Sequence, residues 1–464
     1  MNKQQSPVDV GETSGIPHRS VRLHGIHSLV DQAVVSVASF VTMVLVGRVG
    51  KEELGIFALG ISSFWLLAGI ANALVWTPYT ARAAHMSESH RKRFRGENAG
   101  LNFAIAAILA LLSLLVAVSV WVWYDSQAWL VSFCVCFAPL LVLLTMREYA
   151  RRVYIADFEG GKLLGFDVAI SLVMVALVMI SKQFDFLGSE TAMLLTAAAA
   201  LPAIVVTIKH IREGEVSTLR IRQTLLFNWP YSKWLLVVAI AWLASDGVLR
   251  WMLAGIQGQE AMGAFAGAFL IVSLINPILL AMTSFARSLA SRKLATGSRQ
   301  QLSNGTIRSV RRVALFATLA CCCLHFWGDT FMVTVLGQNY SNPTLVTLLA
   351  FAVCLELVVV PIEAAFVALE FGSLMSLIAV GRLLASIALG ILLIPLYGVY
   401  GAAWAMLGRS LVATAMYALG LLVVHRNFSM PIESSENLQA VDDTEKIPDL
   451  EPIQEKVERA AVST

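Results

Sequence analysis

Gly50-Lys51-Glu52-Glu53-Leu54-Gly55-Ile56-Phe57-Ala58 follows the first long apolar run of the chain, and Gly258-Gln259-Glu260-Ala261-Met262-Gly263-Ala264-Phe265-Ala266 follows another near the middle. Gly, Glu, Gly, Phe and Ala recur at the same offsets. A chain that repeats itself at the same point of each half reads as a duplicated membrane bundle. Gly50 and Gly258 stand where an outgoing helix must stop, and glycine takes the left-handed position after a helix without a Cβ clash. Glu52 and Glu260 then fall in the first turn of the returning helix, where a carboxylate complements the helix dipole. Gly55 and Gly263, with Ala58 and Ala266 one turn on, are small enough to let that helix approach a neighbour closely. The motif predicts a tight outward hairpin in each half, a structural feature that marks the duplication.

Composition points to lipid. The 464 residues are 57% hydrophobic and 14% charged, with mean hydropathy +0.72, against about 25% charged residues in a soluble domain. A net charge of +3 is too small to argue for nucleic acid. The six cysteines lie inside apolar runs with neither disulfide nor zinc spacing, so they read as packing residues, and no metal or cofactor is expected. The polar start lacks the apolar core of a cleaved signal, which leaves the first apolar segment in the membrane.

A span needs about 20 mostly apolar residues. Twelve segments qualify, near 24–47, 56–79, 98–123, 128–148, 164–181, 190–208, 233–254, 261–286, 313–336, 344–368, 372–396 and 399–425. The expected fold is an all-α polytopic membrane protein of about twelve transmembrane helices in two six-helix lobes. With six spans per half, both copies of the motif enter the membrane from the same side, so the lobes should be a parallel repeat about an axis along the membrane normal. The expected organisation is a cytoplasmic segment 1–23, an N-lobe 24–208, a cytoplasmic linker 209–232, a C-lobe 233–425 and a disordered acidic cytoplasmic tail 426–464. The inward connections 80–99, 147–166, 205–234 and 287–312 hold 21 Lys and Arg, whereas the outward ones hold Arg48, Lys51 and Lys182. That asymmetry places both termini in the cytoplasm and the chain in the cell (inner) membrane.

Ionisable groups at membrane depth are costly and mark function or ion pairing. The first half offers Asp31 near the inner edge of span one. The second half offers Asp246 and Arg250 one turn apart, Glu356 and Glu363 two turns apart on one face, and Arg382 and Arg409 near mid-span. In one reading these are internal pairs, Asp246 with Arg250, and Glu356 and Glu363 with Arg382 and Arg409. In the other, Arg250, Arg382 and Arg409 face a central cleft and hold an anionic headgroup, since guanidinium grips phosphate bidentately and keeps its charge. Asp31, Asp246, Glu356 and Glu363 are then candidates for coupling to H+ or Na+ or for ion pairing.

Ser28-Leu29-Val30-Asp31-Gln32-Ala33-Val34-Val35-Ser36, running through Phe40 to Gly47-Arg48-Val49-Gly50 and Glu53-Leu54-Gly55-Ile56-Phe57-Ala58-Leu59, resembles the opening of Wzx-like polysaccharide and O-antigen flippases. These belong to the multidrug/oligosaccharidyl-lipid/polysaccharide exporter superfamily. Leu396-Tyr397-Gly398-Val399-Tyr400-Gly401-Ala402-Ala403-Trp404-Ala405 before the last span is similar to that family as well. The resemblance covers about residues 24–425. It implies a V-shaped carrier that moves a lipid-diphosphate-linked glycan from the inner to the outer leaflet by alternating access, beside the polysaccharide assembly machinery. It also implies a cationic cavity, a role that Arg250, Arg382 and Arg409 suit by type and depth. A cation-coupled multidrug exporter of the same fold remains open, with Asp31, Asp246 and Glu356 supplying an acidic cavity. A membrane-embedded glycosyltransferase or ligase would need a sizeable outward loop, and every outward connection is short, so no enzyme is expected. A non-transporting scaffold would have little use for buried charges on four helices.

Overall fold

The computed structural model describes residues 18–83, 86–123, 128–214, 216–275, 282, 286, 290, 299–369 and 371–429. The segment up to residue 17, most of the basic stretch 287–298 and the acidic tail from residue 430 lie outside the described residues. All regular structure among the described residues is helical. In chain order the helices are α1 His18–Gly47, α2 Lys51–Ala83, α3 Glu88–Trp123, α4 Ala128–Ala156, α5 Gly160–Gln183, α6 Ser189–Ala199, α7 Pro202–Glu213, α8 Thr218–Gln257, α9 Gln259–Val272, α10 Arg299–Leu336, α11 Pro343–Ala368 and α12 Gly372–Ser429.

Nine of the described helices are long and apolar enough to cross a membrane alone. α6 and α7 bend by 42° at a break just before Pro202 and together make one more pass, because proline removes a backbone donor and crowds the preceding turn. α9 opens the eighth pass. α12 is two passes: its backbone leaves the helical region at Gly398, with φ of +57°, and the chain doubles back. A Cβ on Gly408 would lie 2.6 Å from Leu389, and one on Gly381 would lie 2.9 Å from Met416, which is the register of an antiparallel hairpin. Of the twelve passes expected from hydropathy, eleven are present among the described residues, and the eighth, expected over 261–286, is described only as far as residue 275 and at isolated positions beyond it. Leu111, Leu112, Leu115 and Val118 of α3 are exposed, as lipid-facing residues should be.

The described connections that were expected to face inward are much shorter than hydropathy suggests. α4 continues to Ala156, so Arg147, Arg151 and Arg152 are helical, and only residues 214–217 separate α7 from α8. Hydropathy stops at the edge of the apolar run, but Arg, Lys, Glu and Gln are nearly as good helix formers as Leu. The helices consequently run on beyond the bilayer. With 40 residues, α8 is about 60 Å long, twice the roughly 30 Å hydrocarbon core. Its first turns, read from sequence as linker, lie against the first half of the chain. Asn228 donates to the Asn98 side chain and to the Leu74 carbonyl, both at 3.1 Å, and Thr224 donates to Glu97 at 2.8 Å.

The duplicated motif joins the halves as well as turning the chain. A Cβ on Gly55 would strike the carbonyl of Gln259, and one on Gly263 would strike the carbonyl of Lys51. Gln259 occupies in the second copy the place of Lys51 in the first, and Gly263 the place of Gly55. The two contacts are thus images of one another, as a pseudo-twofold axis through the crossing of α2 and α9 requires. Gly258 has φ of +88° and ψ of 172°, a positive φ that favours glycine, though not the left-handed helical turn expected of it. Gly50 differs: it is extended, with φ of 177°, and a Cβ there would meet nothing within 4 Å. The turn at residues 47–50 closes instead through Val49 N–H donating to the Val46 carbonyl, so glycine is required in only one of the two copies. Around this apex, Lys51 pairs with Glu260 at 3.7 Å. Arg48 Nε donates to the Val335 carbonyl at 2.7 Å, and Tyr340 donates to the Gly47 carbonyl at 2.8 Å. Glu52 is exposed in the first turn of α2.

Candidate functional site

Four of the sequence-predicted residues converge in the second half. α8 supplies Asp246, α11 supplies Glu356, and the two arms of α12 supply Arg382 and Arg409. Arg382 Nη2 donates to Glu356 Oε1 at 2.7 Å and lies 3.6 Å from Asp246 Oδ2. Arg409 Nη2 donates to Asp246, lies 3.7 Å from Glu356 Oε1, and its Nη1 donates to Ser245 Oγ at 3.1 Å. Ser410 donates to Glu356 at 3.2 Å, and the Arg382 guanidinium sits 3.9 Å from the centre of the Trp242 ring. The antiparallel hairpin of α12 explains the convergence, since it folds residues 27 apart in sequence back alongside one another, where both long guanidinium side chains reach the same two carboxylates.

The burial pattern decides which groups face open space. Arg382 is 1% and Arg409 0% exposed, whereas the side chains of Asp246 and Glu356 keep 32% and 22% of their surface accessible. The arginines lie behind the carboxylates. Two guanidiniums against two carboxylates also leave the cluster neutral, as burial in a low dielectric demands. Of the two arrangements open from the sequence, the burial and the contacts of Arg382 and Arg409 match the internal ion pairs.

Arg250 behaves differently from the other two. The expected local pair with Asp246 does not form, because Asp246 turns toward Arg409 and Arg382. No carboxylate lies within 4.0 Å of Arg250 among the described residues, and its guanidinium stacks 4.8 Å from the centre of the Phe269 ring on α9. It is partly exposed. Glu363 is half-buried two turns along α11 and makes no ion pair with Arg250, Arg382 or Arg409, so the expected pairing of Glu363 with these arginines is replaced by Asp246.

Asp31 belongs to a second network that the sequence reading missed. Arg151 of α4 donates Nη2 to Asp31 Oδ2 at 2.9 Å, Nε to Asp167 Oδ2 at 2.6 Å and Nη1 to Glu148 Oε1 at 3.1 Å. Arg147 holds the other oxygen of Asp167 at 2.7 Å, and Arg152 lies 5.8 Å from the Trp76 ring centre. α1, α4 and α5 are fastened together by these charges at one end of the first half. The signal was present: Arg147, Glu148, Arg151 and Arg152 are interleaved with Met146, Tyr149, Ala150 and Val153 at helical spacing, but they were read as loop charges. No group of three His, Cys, Asp or Glu side chains among the described residues is placed to hold a metal ion.

No family model and no curated protein matches this sequence. Its backbone is similar to solved structures. An inward-facing multidrug resistance MATE family transporter of the MOP superfamily superposes with a TM-score of 0.62 at 14% identity, over 89% of this chain and 96% of that one. The chain has that transporter fold. A MOP superfamily transporter from Pyrococcus furiosus, described as having reverse polarity in its binding pocket, gives 0.60 at 14% identity over 88% and 95%. An outward-facing MATE conformation gives 0.54 at 14% identity over 89% and 96%.

Proposed function

We propose that the protein is an alternating-access transporter of the cell membrane that carries a lipid-linked oligosaccharide, diphosphate end first, from the inner to the outer leaflet. The transporter fold supports the alternating-access part, and the resemblance of residues 28–59 and 396–405 to polysaccharide flippases supports the substrate. Arg250 is the observation that carries the site. It is a charged fork with no carboxylate within 4.0 Å among the described residues, set on an apolar ring, and a diphosphate oxygen pair matches it bidentately. Arg382 and Arg409 have the supporting role of holding Asp246 and Glu356 in place. An ion, H+ or Na+, that reached Asp246 would compete with Arg409 and Arg382 for it and so couple ion binding to the packing of α8 against α12. The reading places both termini in the cytoplasm and the polysaccharide assembly machinery beside the protein.

The test uses cells that lack their own flippase. Arg250→Ala, inserted at the parent level, should abolish display of the surface glycan, with partial recovery in Arg250→Lys. Parent-level display by Arg250→Ala would remove the diphosphate role. A cation-coupled multidrug exporter is the second reading, favoured by the greater accessibility of Asp246 and Glu356 over their arginines. Under it, cells without their own pumps should gain drug tolerance from the parent and lose it with Asp246→Asn, whereas the glycan reading expects no change in tolerance from either.

A further inference from the structure

α2 and α8 run antiparallel against one another. Trp251 Nε1 of α8 donates to Ser63 Oγ of α2 at 2.8 Å. A Cβ on Gly247 would touch the Leu66 side chain, and one on Gly69 would strike Leu243. That register puts Trp65 level with Arg250, and it also fixes the side on which each stands. Trp65 shares a face of α2 with Gly69, four residues on, and Arg250 shares a face of α8 with Leu243, seven residues back. Because Gly69 and Leu243 meet, Trp65 and Arg250 stand on the same side of the helix pair, away from the Ser63–Trp251 bond. Asn72, three residues beyond Gly69, and Asp246, three beyond Leu243, join that side. The other side of α8 carries Val237, Ala244 and Val248. The apolar side suits lipid, and the charged side faces the cleft.

Trp65 is 45% exposed although its helix is otherwise largely buried. Its ring meets Phe64 edge-on at 5.2 Å, and its indole N–H has no partner among the described residues. Ten residues past Gly55, it lies about 15 Å along α2 from the crossing with α9, far from the outer headgroup layer that tryptophan favours. In lipid that N–H would go unserved; in the cleft a ligand can meet it. Asn72 opens the π-helical turn Asn72–Trp76, a feature that gathers at functional sites. Its Oδ1 accepts from Thr77 at 3.3 Å, which leaves its amide N–H groups free among the described residues. The face of a pyranose ring is a patch of C–H groups that packs flat on an indole, while its rim of hydroxyls calls for donors. We propose that Trp65 is the stacking platform for the sugar ring next to the diphosphate, with Asn72 donating to the hydroxyls of the glycan. This rests on the reading of Arg250 as the diphosphate group. A flat cationic drug would also stack on an indole, but Arg250 on the same side repels it.

Titration calorimetry on the intact chain in detergent gives the test, with two synthetic probes. One is citronellyl diphosphate, and the other is the same lipid with N-acetylglucosamine on its diphosphate. The parent should bind the sugar-bearing probe about tenfold more tightly, the scale of one good stacking contact. Trp65→Ala should bring the two affinities together by weakening the sugar-bearing probe alone, and Trp65→Phe should keep part of the preference. Arg250→Ala should weaken both probes alike. Unchanged binding of both probes by Arg250→Ala would sink the diphosphate reading, an outcome distinct from failure of the platform. Equal binding of the two probes by the parent, or a preference that survives Trp65→Ala, would overturn the platform. A fall of both probes together in Trp65→Ala would also overturn it, leaving Trp65 a packing residue.

Discussion

Asp246 pairs with Arg409, from the far arm of α12, rather than with Arg250 one turn away on its own helix. That choice separates the three arginines into two that hold the second half together and one left over. It leads to a prediction that distinguishes packing from transport. Arg409→Ala strands Asp246 beside Arg382 and empties a buried site, and breaking a buried pair costs about 3–5 kcal/mol. Its melting temperature in detergent should fall sharply. Asp246→Asn/Arg409→Gln keeps the volume while removing both charges and should recover most of that loss, yet remain without transport. A double variant as unstable as Arg409→Ala would argue against the pairing.

The two copies of the motif should respond unequally to alanine. Gly50 is extended with open space at its Cβ, so Gly50→Ala should leave stability near the parent. Gly258 needs a positive φ, and Gly258→Ala should cost about 1–2 kcal/mol. Gly55→Ala and Gly263→Ala are predicted to be the most damaging, since each drives a methyl group into a backbone carbonyl of the other half. Thermal melts of the four variants, read side by side, check the order.

Hydropathy made the passes legible because the bilayer sets one length scale that every span must meet. The repeat was legible because Gly55 and Gly263 answer the same steric demand from opposite sides of one axis. The extent of the helices was not, since the apolar rule is silent once a helix leaves the lipid, which is how Arg147 and Arg151 were read as loop. Partners were harder still. Spacing shows that Asp246 and Arg250 can meet, but only the hairpin at Gly398 reveals that Arg409 is nearer. Burial of Arg382 behind Glu356 is likewise a property of three packed helices and leaves no local trace in the sequence.

Arg151 offers a test in the first half. It serves Asp31, Glu148 and Asp167 at once, so Arg151→Met would leave buried carboxylates facing one another with only Arg147 and Arg152 nearby. The expected loss is about 3–5 kcal/mol, seen as a lower melting temperature and poor insertion. Lys92→Met, which removes an exposed pair with Glu88, should differ from the parent by less than about 0.5 kcal/mol. The contrast separates a structural network from surface charge.

The apex of the repeated motif gives the sharpest test of movement. Lys51 and Glu260 face each other across the halves at 3.7 Å, on the side where α2 and α9 cross. If the lobes part there during the cycle, this pair must separate. Lys51→Cys/Glu260→Cys in a background without the six native cysteines should be closed by an added oxidant such as copper phenanthroline. Transport should then stop and return on reduction with dithiothreitol, while Lys51→Cys alone is unaffected by the oxidant. Full transport with the bridge closed would mean that the lobes stay joined at this end, and the motif would then be a fixed hinge.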